Sequence, residues 1–384
     1  MSPGSRGNQQ GMDSQRFRKL LDAPGPFASV YFDDSHDTHD AETQLELKWR
    51  AVKEELERQR AGTTVIGQIE DAIMNLRPPI GRSGRAVIAS ADGVLINEHL
   101  ARPAATDVVR VSELPYLVPI LEQSFDHPDY VLVVVDHSGA DITTHIGGTL
   151  RTETVDGGGY PVHKSAGAET AGYGDPQLRT EEAGRKNVRA VADRVAELAD
   201  DKAIEVIFVV GEVRSRSDLL AALPERLQDR AVALEIGARH SGHDFGEIEH
   251  AIESEFVKRQ LRTIDDAAQR FTAEIGRQSG LAAEGLGAVC SALRQGAVET
   301  LIIGDIGDAT VVADEGLTTI APDENVLSEQ GAAPAKTLRA DEALPVAAIS
   351  VGAALVRTDE RISPADGVGA VLRYAPTLHQ RVDR

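Results

Sequence analysis

Hydrophobic positions in the first third of the chain predict a strand, two helices and a hairpin. An apolar run at 27–32 predicts a strand, and Leu45, Trp49, Val52 and Leu56 recur at helical spacing within a predicted helix at 42–60. A second helix is predicted at about 64–76, before two prolines. Strands near 85–90 and 93–98 flank an Asp-Gly pair of the kind that hairpins favour.

The rest of the chain alternates strands and helices more regularly. In the middle third the pattern predicts strands at 130–136, 141–146, 149–155, 204–210 and 232–236, and helices at 178–198, at about 218–222 and from 245 past 270. In the last third it predicts helices at 281–295 and 341–349 and strands at 298–303, 310–313, 352–356 and 369–374. We therefore predict an α/β (α+β) protein of three successive α/β domains, at 1–128, 129–258 and 259–384.

Two features interrupt this alternation. Residues 156–176 form a Gly-rich stretch of about twenty residues, and such long loops in compact domains are usually functional or disordered. Residues 323–337 read as a polar excursion between elements of the last domain. The Gly-rich stretch directly precedes a predicted helix, so it is the first place to look for function.

Composition narrows the class of protein. No apolar run approaches the roughly 18 residues that a membrane span needs, and the polar residues 1–11 do not resemble a signal peptide, so we expect a cytoplasmic protein. Cys290 is the only cysteine, which excludes an internal disulfide and a cysteine-based zinc cluster, and its apolar surroundings predict a core thiol.

The charge balance argues against a general nucleic-acid binder. The net charge is −21, whereas residues 157–194 carry six Lys and Arg against five Asp and Glu, a local balance of +1. A diffusely acidic body with one less acidic element suits a single directed RNA contact.

The middle third carries a resemblance to a known family. Tyr130–Asp136 is followed by His137-Ser-Gly-Ala-Asp141, the Gly-rich stretch, a helix with Arg185-Lys186-Asn187-Val188-Arg189, and the strand up to Gly211. This order resembles the central domain of the archaeo-eukaryotic class-one release factors and Pelota. The last third resembles that family's C-terminal domain, a small three-layer sandwich shared with kink-turn-binding ribosomal proteins. The resemblance implies that the Gly-rich stretch reaches the peptidyl-transferase centre and that the basic helix lies along ribosomal RNA.

The chain departs from the release factors in its motifs. Gly-Gly-Gln is absent; the nearest sequences are Asp156-Gly-Gly-Gly-Tyr160 and Ala171-Gly-Tyr-Gly-Asp-Pro-Gln177. The stop-codon-reading Asn-Ile-Lys-Ser and Tyr-x-Cys motifs are absent from residues 1–128. A bacterial branch of the family, typified by the hibernation factor Balon, shows the same losses.

The resemblance to that branch implies a non-enzymatic hibernation factor in the ribosomal A site, where it blocks entry of tRNA and release factors. The implied partners are the 70S ribosome, through 23S and 16S rRNA, and elongation factor Tu or another translational GTPase. DNA, membranes and cofactors are not expected. The alternatives are a peptidyl-tRNA hydrolase or tRNA-cleaving rescue factor that uses Gln177, and a ribosome-independent stress protein or small-molecule enzyme.

The candidate rRNA-binding residues form three groups, each with a plainer interpretation. The Gly-rich group could instead be a mobile surface loop, the helical group a salt-bridged exterior that includes Arg194, and the group near the two prolines a solvated connection. The Gly-rich group is Tyr160, His163, Lys164 and Tyr173. The helical group is Arg179, Arg185, Lys186 and Arg189, and the group near the two prolines is Arg82 and Arg85.

Two histidine clusters could suggest a metal site. His36 and His39 stand among carboxylates, and His240 and His243 precede Glu247 and His250. The first is better explained as a strand-to-helix loop whose Asp and Thr side chains cap the next helix, and the second as a polar loop before the long helix. We therefore predict no metal.

Overall fold

The computed structural model describes residues 17–35, 41–75, 83–100, 103, 106–123, 128–136, 138–146, 149–156, 176–202, 204–236, 245–358 and 361–376. The chain divides into two compact units. Residues 126–258 form the central unit, and residues 1–125 together with 259–384 form what we call the composite unit. Helices and several separate sheets occur throughout, which confirms the predicted mixed α/β class.

The N-terminal stretch of the composite unit is an antiparallel sheet covered by two helices. The sheet has the order β3-β2-β1-β4. Trp49, Val52 and Leu56 pack with Val30 and Phe32 because their helical spacing puts them on one face. The elements are α1 (Lys19–Asp22), β1 (Phe27–Asp33), α2 (Ala41–Arg58), α3 (Thr63–Met74), β2 (Gly84–Ser90), β3 (Gly93–Leu100), β4 (Val108–Ser112) and α4 (Val118–Gln123).

The central unit has a five-stranded mixed sheet of order β7-β6-β5-β8-β9. β5 pairs antiparallel with β6 and parallel with β8, and β8 pairs parallel with β9. Its elements are β5 (Tyr130–Val135), β6 (Gly139–Ile146), β7 (Thr149–Asp156), α5 (Pro176–Asp201), β8 (Val206–Gly211), α6 (Val213–Ala222), α7 (Glu225–Gln228), β9 (Ala231–Ala233) and α8 (Phe245–Arg277), whose last residues belong to the composite unit.

The C-terminal stretch of the composite unit has two sheets, of order β10-β16-β11-β15 and β13-β12-β14. β11 and β15 are parallel, and helix α11 lies between β14 and β15 in the chain. The elements are β10 (Ala282–Glu284), α9 (Leu286–Arg294), β11 (Val298–Ile303), β12 (Thr310–Ala313), β13 (Ile320–Ala321), α10 (Glu324–Glu329), β14 (Lys336–Arg339), α11 (Ala340–Ser350), β15 (Ala354–Arg357) and β16 (Val368–Leu372).

The two stretches of the composite unit share one hydrophobic core. Helix α4 packs against both β15 and α11. Tyr31, Leu117 and Ile120 from the N-terminal stretch belong to the same buried cluster as Leu344 and Leu355 from the C-terminal stretch. The predicted first and third domains therefore meet in a common interior.

Ion pairs of both polarities accompany this shared core. Arg110 Nη1 lies 3.0 Å from a carboxylate oxygen of Asp341 and 3.3 Å from one of Glu342, and its guanidinium lies 3.5 Å from the centre of the Tyr116 ring. Two further pairs have the opposite polarity: Lys336 to Glu113 at 2.9 Å and Arg357 to Glu122 at 2.7 Å. Because each stretch contributes both cations and anions, these pairs favour this register between the stretches over one that brings like charges together.

The C-terminal stretch differs from the predicted elements at two places. The predicted helix at 281–295 is a strand followed by a helix, because Gly285 has φ of +82° and residues 282–284 pair with β16. The predicted polar excursion at 323–337 contains α10, whose first turn is capped by the Asp323 side chain, and the start of β14. In the described part of the chain, every helix is too short or too polar to span a bilayer.

Candidate RNA-contacting surface on helix α5

Helix α5 has one buried and one exposed face. Val188, Val191 and Val195 are buried against the central sheet at helical spacing. Arg185, Lys186 and Arg189 are exposed. The helix begins at Pro176, the last residue of the Gly-rich stretch, so it connects that stretch to the body of the central unit. The three exposed cations, which we call the basic patch, are the part of the predicted helical group whose side chains the structure describes.

Arg194, on the same helix, is engaged in an ion-pair network. Its guanidinium donates to both carboxylate oxygens of Glu153 on β7, at 2.6 and 3.0 Å, and to Glu197 at 2.9 Å. Hydrogen bonding to Arg194 lowers the pKa of Glu153, and hydrogen bonding to Glu153 raises the pKa of Arg194. The salt-bridged interpretation therefore applies at Arg194. Arg185 and Lys186 also take part in interactions, while their side chains remain exposed.

A cleft opens beside the basic patch, between α5 and α6. Arg185, Val188 and Arg189 line one wall, and Asp218, Ala221 and Ala222 line the other. The sequence predicted a helix near 218–222 without a role. No local pattern signals that wall, because Ala221 and Ala222 contribute only methyl groups and matter only through their position opposite the two arginines.

Gly211 sets the position of α6 relative to the sheet. It ends β8, beside Val135 at the end of the parallel strand β5, and has φ of +149°. A Cβ atom at this position would lie 2.1 Å from the carbonyl oxygen of Val135. Only glycine therefore allows the backbone to approach that closely and turn into the helix that forms the second wall of the cleft.

The expectation that Arg85 contacts RNA is wrong. Arg85 is 0% exposed and lies within β2, where every residue is buried. Its guanidinium donates to Asp34 at 3.1 Å, to Asn97 at 3.0 Å and to the carbonyl oxygen of Ala72 at 2.7 Å. A charge this deep requires such partners, and they leave the guanidinium no access to a phosphate.

The other predicted RNA-contacting residues lie outside the described part of the chain. Tyr160, His163, Lys164, Tyr173 and Arg82 belong to undescribed residues. Arg179 lies within α5, and its side chain is likewise outside the description. Their roles stay predictions.

The described residues offer few groups for metal or thiol chemistry. No three His, Cys, Asp or Glu side chains among them converge as a metal site would require. His36, His39, His240 and His243 lie outside the description. Cys290 is confirmed as a core thiol: it is 1% exposed, and burial raises its pKa to about 12, so the nucleophilic thiolate is strongly disfavoured.

Comparisons with known proteins agree with the order of elements around α5. The family described as "Bacterial archaeo-eukaryotic release factor family 2" matches residues 129–277. The protein Rv2629 of Mycobacterium tuberculosis strain H37Rv is 52% identical over 366 residues, which cover 95% of this chain and 98% of that protein.

Solved structures show more distant likenesses. A model of ribosome-bound archaeal Pelota with ABCE1 has a chain that is 15% identical, with coverage of 98% of this chain and 100% of that one and a TM-score of 0.38. Dom34 of S. cerevisiae is 9% identical, with coverage of 95% and 94% and a TM-score of 0.37. Because these scores are low, the assignment rests on the family match and the mycobacterial relative. The chain belongs to the bacterial archaeo-eukaryotic release factor-like family, as a relative of Rv2629 over nearly its whole length.

Proposed function

We propose that this protein binds the ribosomal A site and blocks the entry of tRNA and release factors, without releasing the nascent peptide. The observation that carries the proposal is the basic patch of Arg185, Lys186 and Arg189, exposed on α5 immediately after the Gly-rich stretch of a chain with net charge −21. Such a localised cationic surface supports one directed contact with RNA phosphates, whereas the acidic remainder of the chain opposes general RNA binding.

Family membership and the missing motif support the two halves of the proposal. Membership in a release-factor-like family supports a ribosomal site of action. The absence of Gly-Gly-Gln from the whole sequence supports a role without peptide release, since release factors of this family carry that motif. Elongation factor Tu or another translational GTPase is the partner that the family resemblance implies.

Co-sedimentation with vacant 70S ribosomes tests this function. The triple variant Arg185→Glu, Lys186→Glu, Arg189→Glu should lose binding. The matched control Arg58→Glu, Arg277→Glu, Arg294→Glu changes the net charge equally at exposed positions and should bind like the wild type. Removal of each phosphate-binding cation should reduce the slope of log affinity against log salt by roughly 0.7–0.9. Equal loss in both variants, or no wild-type binding with or without elongation factor Tu, would refute the proposal.

Peptide release separates this function from the enzymatic alternative. Ribosomes that carry peptidyl-tRNA should retain the peptide when the wild-type protein is added. They should also retain it when the Gln177→Ala variant is added. Release by the wild type that Gln177→Ala abolishes would establish a hydrolase instead. Chemical probing should show protection of A-site nucleotides by the wild type and loss of that protection in the triple variant.

A further inference from the structure

The cleft between α5 and α6 combines cationic, apolar and acidic groups in one opening of the central unit. Arg185 and Arg189 are four residues apart, so both lie on the same side of α5 and form one rim. Val188 on the α5 wall is 6% exposed, and with the exposed methyl groups of Ala221 and Ala222 on the α6 wall it forms the apolar lining that we call the floor. Asp218 is on the opposite wall. A basic patch that bound only phosphates would require neither the floor nor the carboxylate.

Each wall matches a different part of a nucleotide. A guanidinium is planar and binds phosphate through paired N–H donors, and it also stacks on nucleobases. An apolar floor of small residues leaves room for a ring to lie against it. The Asp218 side chain is 54% exposed and its ion pair with Arg214 is long, at 3.9 Å, so its carboxylate can accept hydrogen bonds from a ligand.

We propose that this cleft receives one unpaired nucleotide of ribosomal RNA, with its phosphate on Arg185 and Arg189 and its base against Ala221 and Ala222. The inference rests on the proposed function and adds a base-accepting site to it. The Asp218 carboxylate favours guanine, because the Watson–Crick edge of guanine presents two adjacent N–H donors that two carboxylate oxygens can accept together. An acidic peptide fits less well, since its carboxylates offer neither a ring for the floor nor N–H donors for Asp218.

Fluorescence anisotropy with short single-stranded RNA tests the site directly. The probes are a labelled pentamer with one guanine among uridines and an all-uridine pentamer. The full-length wild type should bind the guanine-containing pentamer several-fold more tightly. Asp218→Asn should abolish that preference, so that the variant binds the two pentamers with equal affinity. Equal affinity of the wild type for the two pentamers would overturn the assignment of guanine.

A cleft-filling variant tests the floor. Ala222→Phe should weaken binding of the guanine-containing pentamer about tenfold, the lower range for loss of one stacked base. The matched control is Ser217→Phe, at an exposed position of the same helix that does not line the cleft. It should bind like the wild type, and circular dichroism should show that both variants fold. Wild-type affinity in Ala222→Phe, equal loss in the control, or displacement of RNA by an acidic peptide at the same site would each refute the nucleotide site.

Ribosome binding distinguishes failure of this site from failure of the proposed function. Suppose that the triple variant Arg185→Glu, Lys186→Glu, Arg189→Glu loses ribosome binding, while Ala222→Phe binds the guanine-containing pentamer like the wild type. That result would refute the nucleotide site and leave the proposed function intact. Pentamer binding with the expected variant pattern, without any sedimentation on ribosomes, would support the cleft as an RNA site and refute its placement on the ribosome.

Discussion

At the scale of single residues, Arg85 and Asp34 form a buried ion pair in which each charge needs its partner for the protein to be stable. Both side chains are almost completely inaccessible, and the arginine also donates to Asn97 and to the carbonyl oxygen of Ala72. Removing one partner from a buried pair leaves an uncompensated charge in the interior. The pair therefore acts as a structural requirement of the N-terminal stretch.

We expect Arg85→Ala to lower the free energy of unfolding by about 3–5 kcal/mol, the usual range for breaking a buried ion pair. Urea denaturation followed by circular dichroism measures it. Arg58→Ala is the control: Arg58 is exposed and pairs with Glu55 three residues away on the helix surface, so its unfolding midpoint should not move measurably. Comparable losses in the two variants would show that burial of Arg85 has no energetic importance.

Glu342 gives a prediction with a defined pH dependence. Burial raises the pKa of Glu342 above its usual value of 4.5, and Asp341 adds to the rise, while Ser112 and Arg110 oppose it. The folded state therefore binds this proton more tightly than the unfolded state. Its contribution to stability is fully present below about pH 4.5 and is lost as pH rises through the raised pKa of the folded state.

Glu342→Gln removes this titration. The free energy of unfolding of the variant, relative to the wild type, should therefore increase as pH rises from about 4 to 7, because only the wild type loses the contribution of the proton. Urea titrations of both proteins at several pH values measure the difference. A difference that falls with pH would mean that Arg110 stabilises the ionised carboxylate more than burial destabilises it.

At the scale of elements, two glycines of the central unit have opposite requirements. Gly184 lies inside α5, and a Cβ atom there would meet nothing within 4 Å. Gly184→Ala should raise the stability of the central unit by about 0.5–1 kcal/mol, because alanine loses less backbone entropy in a helix. Gly211→Ala should cost about 1–3 kcal/mol from backbone strain, with a further loss from the contact with Val135. Thermal unfolding of both variants checks this, and equal effects would exclude the conformational explanation.

Long elements with a clear period were predictable from the sequence. The predicted helix at 42–60 is α2, the predicted strand at 130–136 is β5, and the helix from 245 past 270 is α8. Short elements depended on distant partners. The three-residue strand β10 exists because it pairs with β16, far along the chain, and β4 because it pairs with β1. A short stretch of sequence does not show with which distant strand it will pair.

The candidate site was predictable only in part. The charges of Arg185, Lys186 and Arg189 and their helix could be recognised from spacing, and the structure places all three on an exposed surface. The Ala221 and Ala222 wall depends on the packing of α6 beside α5, which spacing does not reveal. The prediction for Arg85 failed because its exposure also depends on packing. Arg85 follows a turn-like stretch in the sequence, whereas every residue of β2 is buried.

At the scale of the whole molecule, the shared core of the composite unit predicts joint unfolding of its two stretches. Hydrogen exchange in rising urea should show residues 17–123 and 259–376 losing amide protection in one transition. Arg110→Ala should move that transition to lower urea, because it removes the cation beside the buried Glu342 while Asp341 keeps Arg339, and should leave the transition of residues 128–236 unmoved. Separate transitions for the two stretches would show that each folds independently.

The burial of Cys290 has a practical consequence for following such transitions. As the chain's single sulfhydryl, it sits in α9 inside the composite core and is held in its protonated form. A thiol-reactive dye should therefore label the native protein only as fast as this core opens, and an added surface cysteine would react first and selectively. The rate at which Cys290 is labelled in the wild-type protein therefore reports how fast the shared core of the composite unit opens.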